Sequence, residues 1–166
     1  MPFLNIGSLW PDSKSEHPSE HPFWKEYSEI YKNSLGEGER KNAEVFDQTF
    51  FGNNSVIFSA AANRSALFIM LYRGYPMLEL PYQLLESLLE IDNELGNWRS
   101  RHINMVRRMI GTRTGTGGST GAGYLQGAMD KHYIFRELAQ LNSFLINRTK
   151  LPKLPDTLTE KLGYHF

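Results

Sequence analysis

The stretch that decides the fold is "PYQLLESLLEIDNELGNWRSRHINMVRRMIG", residues 81–111, because apolar residues recur along it every three or four positions. That spacing is typical of an amphipathic α-helix. Pro81 suits a first helical turn, where its missing N–H costs nothing, and Gly111 suits the position after a helix end. We therefore predict one long helix here, with these apolar positions: Leu84, Leu85, Leu88, Leu89, Ile91, Leu95, Trp98, Met105, Val106, Met109 and Ile110.

The charges along this stretch agree with a helix. Its acidic residues fall in the first half and its arginines in the second, which complements the helix dipole. The acidic residues are Glu86, Glu90, Asp92 and Glu94, and the arginines are Arg99, Arg101, Arg107 and Arg108.

The rest of the chain also shows helical patterns. Helical spacing of apolar residues predicts helices over residues 23–35, in a segment ending at Gly52, over a mostly buried stretch at 55–72, and over 124–147. No strand pattern is present, so the predicted fold class is all-α. We expect residues 1–22 to form a loose N-terminal arm, either a disordered tail or an arm that docks on a partner subunit. Residues 23–150 are expected to form the helical domain, and residues 151–166 a C-terminal tail.

Composition excludes several classes of function. The 166 residues are 40% hydrophobic and 13% aromatic, which is enough to build a core, and they contain no cysteine. Disulfides, thiolate metal sites and a cysteine nucleophile are therefore excluded. Eighteen basic residues balance 18 acidic ones, which argues against a nucleic-acid binder. The first residues lack the pattern of a signal peptide, and no apolar run approaches about 20 residues, so we expect a soluble cytoplasmic protein.

The histidine within the long predicted helix has two interpretations. His102 lies four residues from both Trp98 and Val106, on the same apolar stripe, and we expect it to point inward. It is either a core histidine bonded to a backbone carbonyl or an axial metal ligand. One histidine cannot make a zinc site, and no Glu-x-x-His pair suggests a di-iron site. It is enough for haem, because the porphyrin supplies the other four ligands.

A haem also needs an apolar slot and cations for its propionates. Four apolar residues near the histidine are candidates for the slot: Trp98, Met105, Val106 and Met109. Arg99 and Arg101 flank His102, and they either hold propionates or lie on a solvated helix face. The other four histidines are less informative: His17, His21, His132 and His165.

A glycine-rich loop follows the long helix, with the sequence "RTGTGGSTGAGY" at residues 113–124. It lacks the lysine of a phosphate-binding P-loop, and Thr120 breaks the spacing of a dinucleotide fingerprint. The loop is then either a flexible connector or an anion clamp. Glycines allow close backbone approach, while the hydroxyls of Thr116, Ser119 and Thr120 can donate to a carboxylate.

The histidine of the long helix and the glycine-rich loop, taken together, make the sequence similar to a known family. Residues 81–126 closely resemble the C-terminal half of tryptophan 2,3-dioxygenases, in which Trp-Arg-x-x-His is followed about a dozen residues later by Gly-Thr-Gly-Gly-Ser. Here the first motif is Trp98, Arg99 and His102, and the second occupies residues 115–119. The likeness extends from roughly Phe58 through "RELAQLNSFLINR". As a joined pair at this spacing the motifs are specific.

The resemblance implies a helical bundle like the C-terminal half of the tryptophan/indoleamine dioxygenase fold, with haem b as cofactor. The implied reaction adds both atoms of O2 across the indole C2–C3 bond of L-tryptophan to give N-formylkynurenine, in tryptophan catabolism by the kynurenine pathway. His102 would be the proximal iron ligand, with Trp98 and Arg99 beside the haem. Thr116, with Gly115 and Gly117, would bind the amino-acid end of the substrate. Family members are homotetramers whose subunits share active sites.

We find no counterpart here of the family's N-terminal half, which carries its distal histidine, so no catalytic residue is assigned. Three explanations remain open. The chain is a partial gene product, or it is one half of a site that another polypeptide or another copy completes. Otherwise it is a short relative that binds haem or an indole without independent turnover, or that acts on another aromatic substrate.

Overall fold

The computed structural model describes residues 18–52, 58–110 and 133–163, and these contain six α-helices and no β-strand. The all-α prediction is confirmed. The helices are α1 (Pro22–Ser34), α2 (Lys41–Phe51), α3 (Ala60–Leu71), α4 (Pro76–Ile110), α5 (Arg136–Gln140) and α6 (Asp156–Leu162). Short 3-10 helices lie at Pro18–Glu20, Glu37–Glu39, Leu141–Phe144 and Arg148–Lys150. None of the described helices is long and apolar enough to cross a membrane.

The described chain divides into two compact units. The first contains the residues up to Leu85 together with those from Glu137 onward, and the second runs from Glu86 to Arg136. The expected division at residues 22 and 150 stays a prediction. The last expected segment, residues 151–166, includes α6, whose Leu158 and Leu162 are buried.

The core of the first unit is rich in aromatic side chains. Helix α1 buries four of them, and α2 buries Phe46 and Phe50. The rings of Tyr31 and Phe46 lie 4.9 Å apart, and those of Phe46 and Phe50 lie 4.7 Å apart. Such ring contacts stabilise the fold beyond the contribution of the apolar area that they bury. The four aromatic residues of α1 are Phe23, Trp24, Tyr27 and Tyr31.

The first two helices begin and end at residues suited to helix ends. Pro22 occupies the first turn of α1, and Nδ1 of His21 accepts a hydrogen bond from the Phe23 N–H at 3.3 Å. Burial lowers the pKa of His21, which favours the neutral ring that can accept this bond. Gly52 follows the end of α2, and its N–H donates to the carbonyls of Asp47 and Gln48. The predicted helix over residues 23–35 and the predicted end at Gly52 are both confirmed.

Helix α3 confirms the predicted buried helix, although it starts later than expected. The Ser59 side chain accepts a hydrogen bond from the Ala62 N–H at 3.2 Å, so it acts as the N-cap. Residues 53–57 lie outside the described residues. The buried positions of α3 are Asn63, Ser65, Ala66, Leu67, Phe68, Ile69 and Leu71.

Tyrosine hydroxyls tie α1 and α3 to the C-terminal part of the first unit. The Tyr27 hydroxyl donates to the carbonyl of Phe144 at 2.7 Å, and the Tyr72 hydroxyl donates to the carbonyl of Pro152 at 2.6 Å. Both bonds are buried, so each carbonyl exchanges water for a protein donor. These bonds fix segments that have little regular structure of their own.

Helix α4 begins at Pro76 and not at Pro81, so the predicted start is wrong by five residues. Pro76 takes the first-turn position that the prediction gave to Pro81. Leu78 is buried, and its N–H donates to the Tyr75 carbonyl at 2.9 Å, which stabilises the earlier start. Pro81 lies inside the helix, where its ring nitrogen cannot donate to the Met77 carbonyl.

The predicted helix over residues 124–147 is wrong where the structure describes it. Residues 124–132 lie outside the described residues, and beyond them only Arg136–Gln140 is α-helical, followed by the 3-10 helix Leu141–Phe144. The amides of Ile134 and Phe135 donate to the Asp92 carboxylate and not to helix carbonyls. At the other end the Phe144 carbonyl is bound by Tyr27. Long-range partners therefore replace the helical bonds that the local pattern predicted.

Candidate functional site

In the second unit, α4 has one packed face and one exposed apolar face. Asp92 and Ile103 are buried, and Gly96 lies between them on the same side of the helix. The exposed large hydrophobic residues lie on another side, at intervals of seven residues or one turn. They are Ile91, Trp98, Met105 and Met109. The candidate ligand His102 belongs to this exposed face.

Trp98 and His102 form a stacked pair. They are one helical turn apart, with ring centroids 5.4 Å apart and an interplanar angle of 15°. Trp98 is 62% exposed, and His102 is exposed as well. The indole therefore restricts the imidazole on one side while the pair as a whole stays accessible.

The expectation that His102 points inward is wrong for this structure. The buried residue is its neighbour Ile103, which is 4% exposed. The packed side combines the apolar Ile103 with the charged Asp92 and with Gly96, so the apolar periodicity that includes Trp98 and Met105 does not identify it. Packing within the chain buries the side of the helix that carries Asp92 and Ile103, and the side that carries Trp98 and His102 stays exposed.

The predicted haem slot is accordingly a surface and not an interior cleft. Trp98, Met105 and Met109 are exposed, while Val106 is half-buried. Of the two arginines that flank the histidine, Arg99 is half-buried and Arg101 is exposed. Their role as propionate ligands stays a prediction.

The residues present fit one axial position of a haem. Within the described ranges no three His, Asp or Glu side chains come together as a metal site. Around His102 the structure offers one accessible imidazole beside an indole and two thioethers. One nitrogen donor on an apolar surface suits a metal whose four in-plane ligands come from a porphyrin and not from the protein, and it does not suit zinc.

Asp92 is a functional candidate that the sequence analysis missed. It is 5% exposed, and its two carboxylate oxygens accept hydrogen bonds from the Ile134 and Phe135 amides at 2.9 and 2.6 Å. From the sequence, its charge was expected only to complement the helix dipole. Its position seven residues after Leu85, in register with the buried face, was the available signal.

The predicted substrate-binding residues Thr116, Gly115 and Gly117 lie outside the described residues, as do Ser119 and Thr120. Among the other histidines, His21 caps α1, while His17, His132 and His165 also lie outside the described parts.

A shallow pocket of about 200 Å³ is found in the first unit. Its lining does not include any of the predicted site residues. The lining residues are Leu71, Tyr72, Gly74, Tyr75 and Arg148.

Comparison with known proteins assigns the chain to a family. The family model for tryptophan 2,3-dioxygenase matches residues 19–145. The match begins well before Phe58, where the resemblance was expected to start, so the expected extent was too narrow and α1 and α2 belong to the matched region.

Curated relatives agree. Tryptophan 2,3-dioxygenase of Bdellovibrio bacteriovorus is 40% identical over 108 residues, which are 65% of this chain and 30% of that protein. The enzyme of the same name from Alteromonas mediterranea is 39% identical over 125 residues, 73% of this chain and 34% of that protein. Tryptophan 2,3-dioxygenase B of Danio rerio is 44% identical over 97 residues, 58% of this chain and 24% of that protein.

The aligned region thus spans about a third of the length of the first two relatives. The family match nevertheless covers most of this chain and includes the helix on which Trp98 and His102 stack. The chain belongs to the tryptophan 2,3-dioxygenase family.

Proposed function

We propose that this chain carries the proximal haem-binding part of a tryptophan 2,3-dioxygenase. The observation that carries the proposal is the stacked, exposed Trp98–His102 pair on α4. It occupies the first of the two motifs by which the chain resembles the family. The reaction is the insertion of both O2 atoms across the indole C2–C3 bond of L-tryptophan, which yields N-formylkynurenine.

His102 is proposed as the axial ligand. Its exposed imidazole can approach a metal without breaking any packing of the second unit. The Trp98 ring, 5.4 Å away and nearly parallel, limits the rotation of the imidazole and so helps to orient the donor nitrogen. Haem, when bound, supplies the iron that activates O2. Met105 and Met109 offer apolar, adaptable contacts for the macrocycle, and Arg99 is proposed to contact it from the helix edge.

The glycine-rich loop is proposed to bind the amino-acid end of the substrate. The Thr116 hydroxyl can donate to a carboxylate or accept from an ammonium group. Gly115 and Gly117 lack side chains, so the backbone N–H groups near them can approach the ligand closely. The names of the curated relatives support L-tryptophan as the substrate.

A second polypeptide or another copy of this chain is proposed to complete the site. The exposed apolar face of α4 supports this, because Met109 is 78% exposed and Trp98 and Met105 are at least half exposed. Contiguous apolar surface of this kind marks an interaction or ligand site. We expect a homo-oligomer, in agreement with the tetramers of the family.

The first experiment is a hemin titration followed by ferric, ferrous and CO optical spectra. Wild type is expected to bind one hemin per site with a histidine-ligated spectrum, and His102→Ala is expected to lose it. Because His102 is exposed, the variant should keep its stability within about 0.5 kcal/mol. His132→Ala is the matched control, since it removes a histidine outside the motif.

Non-saturating hemin binding that His102→Ala leaves unchanged would contradict the assignment of the ligand. If the site loads, the ferrous protein is supplied with L-tryptophan and O2, and N-formylkynurenine is followed by absorbance. Full loading without product would show that the chain binds haem without independent turnover.

A further inference from the structure

Asp92 holds a turn of the second unit against the helix that carries His102. Its Oδ1 accepts from the Ile134 N–H at 2.9 Å, and its Oδ2 accepts from the Phe135 N–H at 2.6 Å. Both bonds join a buried carboxylate to backbone amides, and hydrogen bonds to an ionised acceptor are the stronger kind. The turn of residues 133–135 is thus attached to α4 by one side chain through two bonds.

Tyr133 extends this attachment by one turn of helix. Its hydroxyl lies 4.0 Å from the position that a Cβ on Gly96 would take. The tyrosine hydroxyl therefore lies close to α4 at Gly96. Residues 133–135 run beside the helix from Asp92 to Gly96.

The attached turn covers one side of α4 and leaves the histidine on another. At about 100° per residue, Gly96 lies about 40° and the buried Ile103 about 20° from Asp92 around the helix axis, in the same direction. Trp98 and His102 lie about 120° and 80° from Asp92 in the opposite direction. The burial pattern agrees, because Asp92 and Ile103 are buried while Trp98 and His102 are exposed.

We propose that Asp92 is a positioning residue of the His102 site. By binding the Ile134 and Phe135 amides it fixes the rotation of α4 about its own axis within the second unit, so that the Trp98–His102 face points outward, where a haem can reach it. The inference rests on the proposed function, since it gives this orientation a role in haem binding. Asp92 itself is buried and lies about 80° from His102 around the helix axis.

The test compares Asp92→Ala and Asp92→Asn with Glu94→Ala, which removes an exposed carboxylate two residues away on the same helix. Three quantities are measured: hydrogen exchange of the Ile134 and Phe135 amides, solvent paramagnetic relaxation of the His102 ring protons, and hemin affinity. Circular dichroism checks that helix content is retained. In Asp92→Ala we expect both amides to lose protection, the exposure of His102 to change, and hemin affinity to fall by about tenfold, the effect typical of losing a group that orients a ligand.

Asp92→Asn keeps one acceptor oxygen and places an NH2 group against the second amide. It is expected to fall between wild type and Asp92→Ala in all three measurements, and it serves alone if the alanine variant does not fold. Glu94→Ala is expected to match wild type.

The proposal is overturned if the amides lose protection in the Asp92 variants while the exposure of His102 and hemin affinity stay at wild-type values. Unchanged protection of the amides would overturn it as well. Loss of hemin in His102→Ala but not in Asp92→Ala would sustain the proposed function and reject the role of Asp92. If wild type binds no hemin yet the exposure of His102 changes in Asp92→Ala, the orienting role of Asp92 stands and the proposed function fails.

Discussion

The two units place their aromatic side chains in opposite environments. In the first unit Phe46 is fully buried and contacts the rings of Tyr31 and Phe50. In the second, Trp98 also has a ring partner, His102, yet both members of that pair are exposed. A ring contact therefore does not by itself indicate a core. The buried rings contribute stability, whereas the exposed pair is available to a ligand.

The largest expected effect separates these two roles directly. Phe46→Ala should lower the free energy of unfolding by about 3–5 kcal/mol, because it leaves a cavity among rings that cannot fully collapse. Trp98→Ala should change it by less than about 1 kcal/mol, since the side chain is largely exposed. Urea unfolding followed by circular dichroism measures both values. Equal losses in the two variants would mean that the Trp98 face is packed after all.

The next effect concerns the buried phenols of the first unit. Burial raises the pKa of Tyr27 above its ordinary value, with Tyr72 and Tyr31 adding to the shift, and burial likewise raises the pKa of Tyr72, with Tyr75 and Glu26 adding to it. The stability from each buried phenol is complete below the unfolded pKa of about 10 and is lost as pH rises above it. Each phenol should lower the free energy of unfolding by up to about 1.4 kcal/mol for every pH unit above that value.

Unfolding free energies measured from pH 8 to 11.5 test this expectation. Tyr27→Phe removes one of the phenols with a raised pKa, so its loss of stability with pH should be shallower than in wild type. At neutral pH the same variant should be less stable by about 1–3 kcal/mol, because the Phe144 carbonyl loses its donor. An identical pH profile in wild type and variant would show that Tyr27 does not contribute to the alkaline transition.

The smallest expected effect contrasts two glycines. A Cβ on Gly52 would lie 2.5 Å from the Gln48 carbonyl oxygen, so Gly52→Ala should destabilise the first unit by about 1–3 kcal/mol through overpacking. Among the described residues a Cβ on Gly96 would meet only the Tyr133 hydroxyl, at 4.0 Å, so Gly96→Ala should stabilise α4 by up to about 1 kcal/mol through helix propensity. Thermal unfolding should move in opposite directions for the two variants. Melting temperatures that shift in the same direction for both variants would contradict the expected difference between the two glycines.

Most helices could be predicted because their signals are local. The spacing of Phe23, Tyr27 and Tyr31 predicts α1, and Gly52 marks the end of α2. The start of α4 was misplaced because two prolines, Pro76 and Pro81, both suit a first turn, and only the burial of Leu78 distinguishes them. Local signals fix the type of element more firmly than its ends.

The features that could not be predicted from the sequence depend on contacts between residues that are distant in the chain. The helix expected over residues 124–147 is interrupted by Asp92, which is 42 residues from Ile134. The outward orientation of His102 also depends on which side of α4 packs within the chain, and that side includes the charged Asp92. The motif identifies His102 as the candidate ligand, a role that stays a prediction, whereas periodicity alone assigned it to the wrong side of the helix. The roles of Thr116, Gly115 and Gly117 stay predictions.

The tyrosine bonds of the first unit also constrain when the protein can fold during synthesis. Tyr27 and its acceptor Phe144 are separated by 117 residues, and Tyr72 and Pro152 by 80. Helix α1 leaves the ribosome long before its partner, and at roughly 5–20 residues per second the wait lasts several seconds or more. Throughout that interval the aromatic face of α1 lacks its final covering. A nascent chain stalled before residue 144 should therefore be recognised by chaperones that bind exposed aromatic segments, and release should follow once Phe144 has emerged.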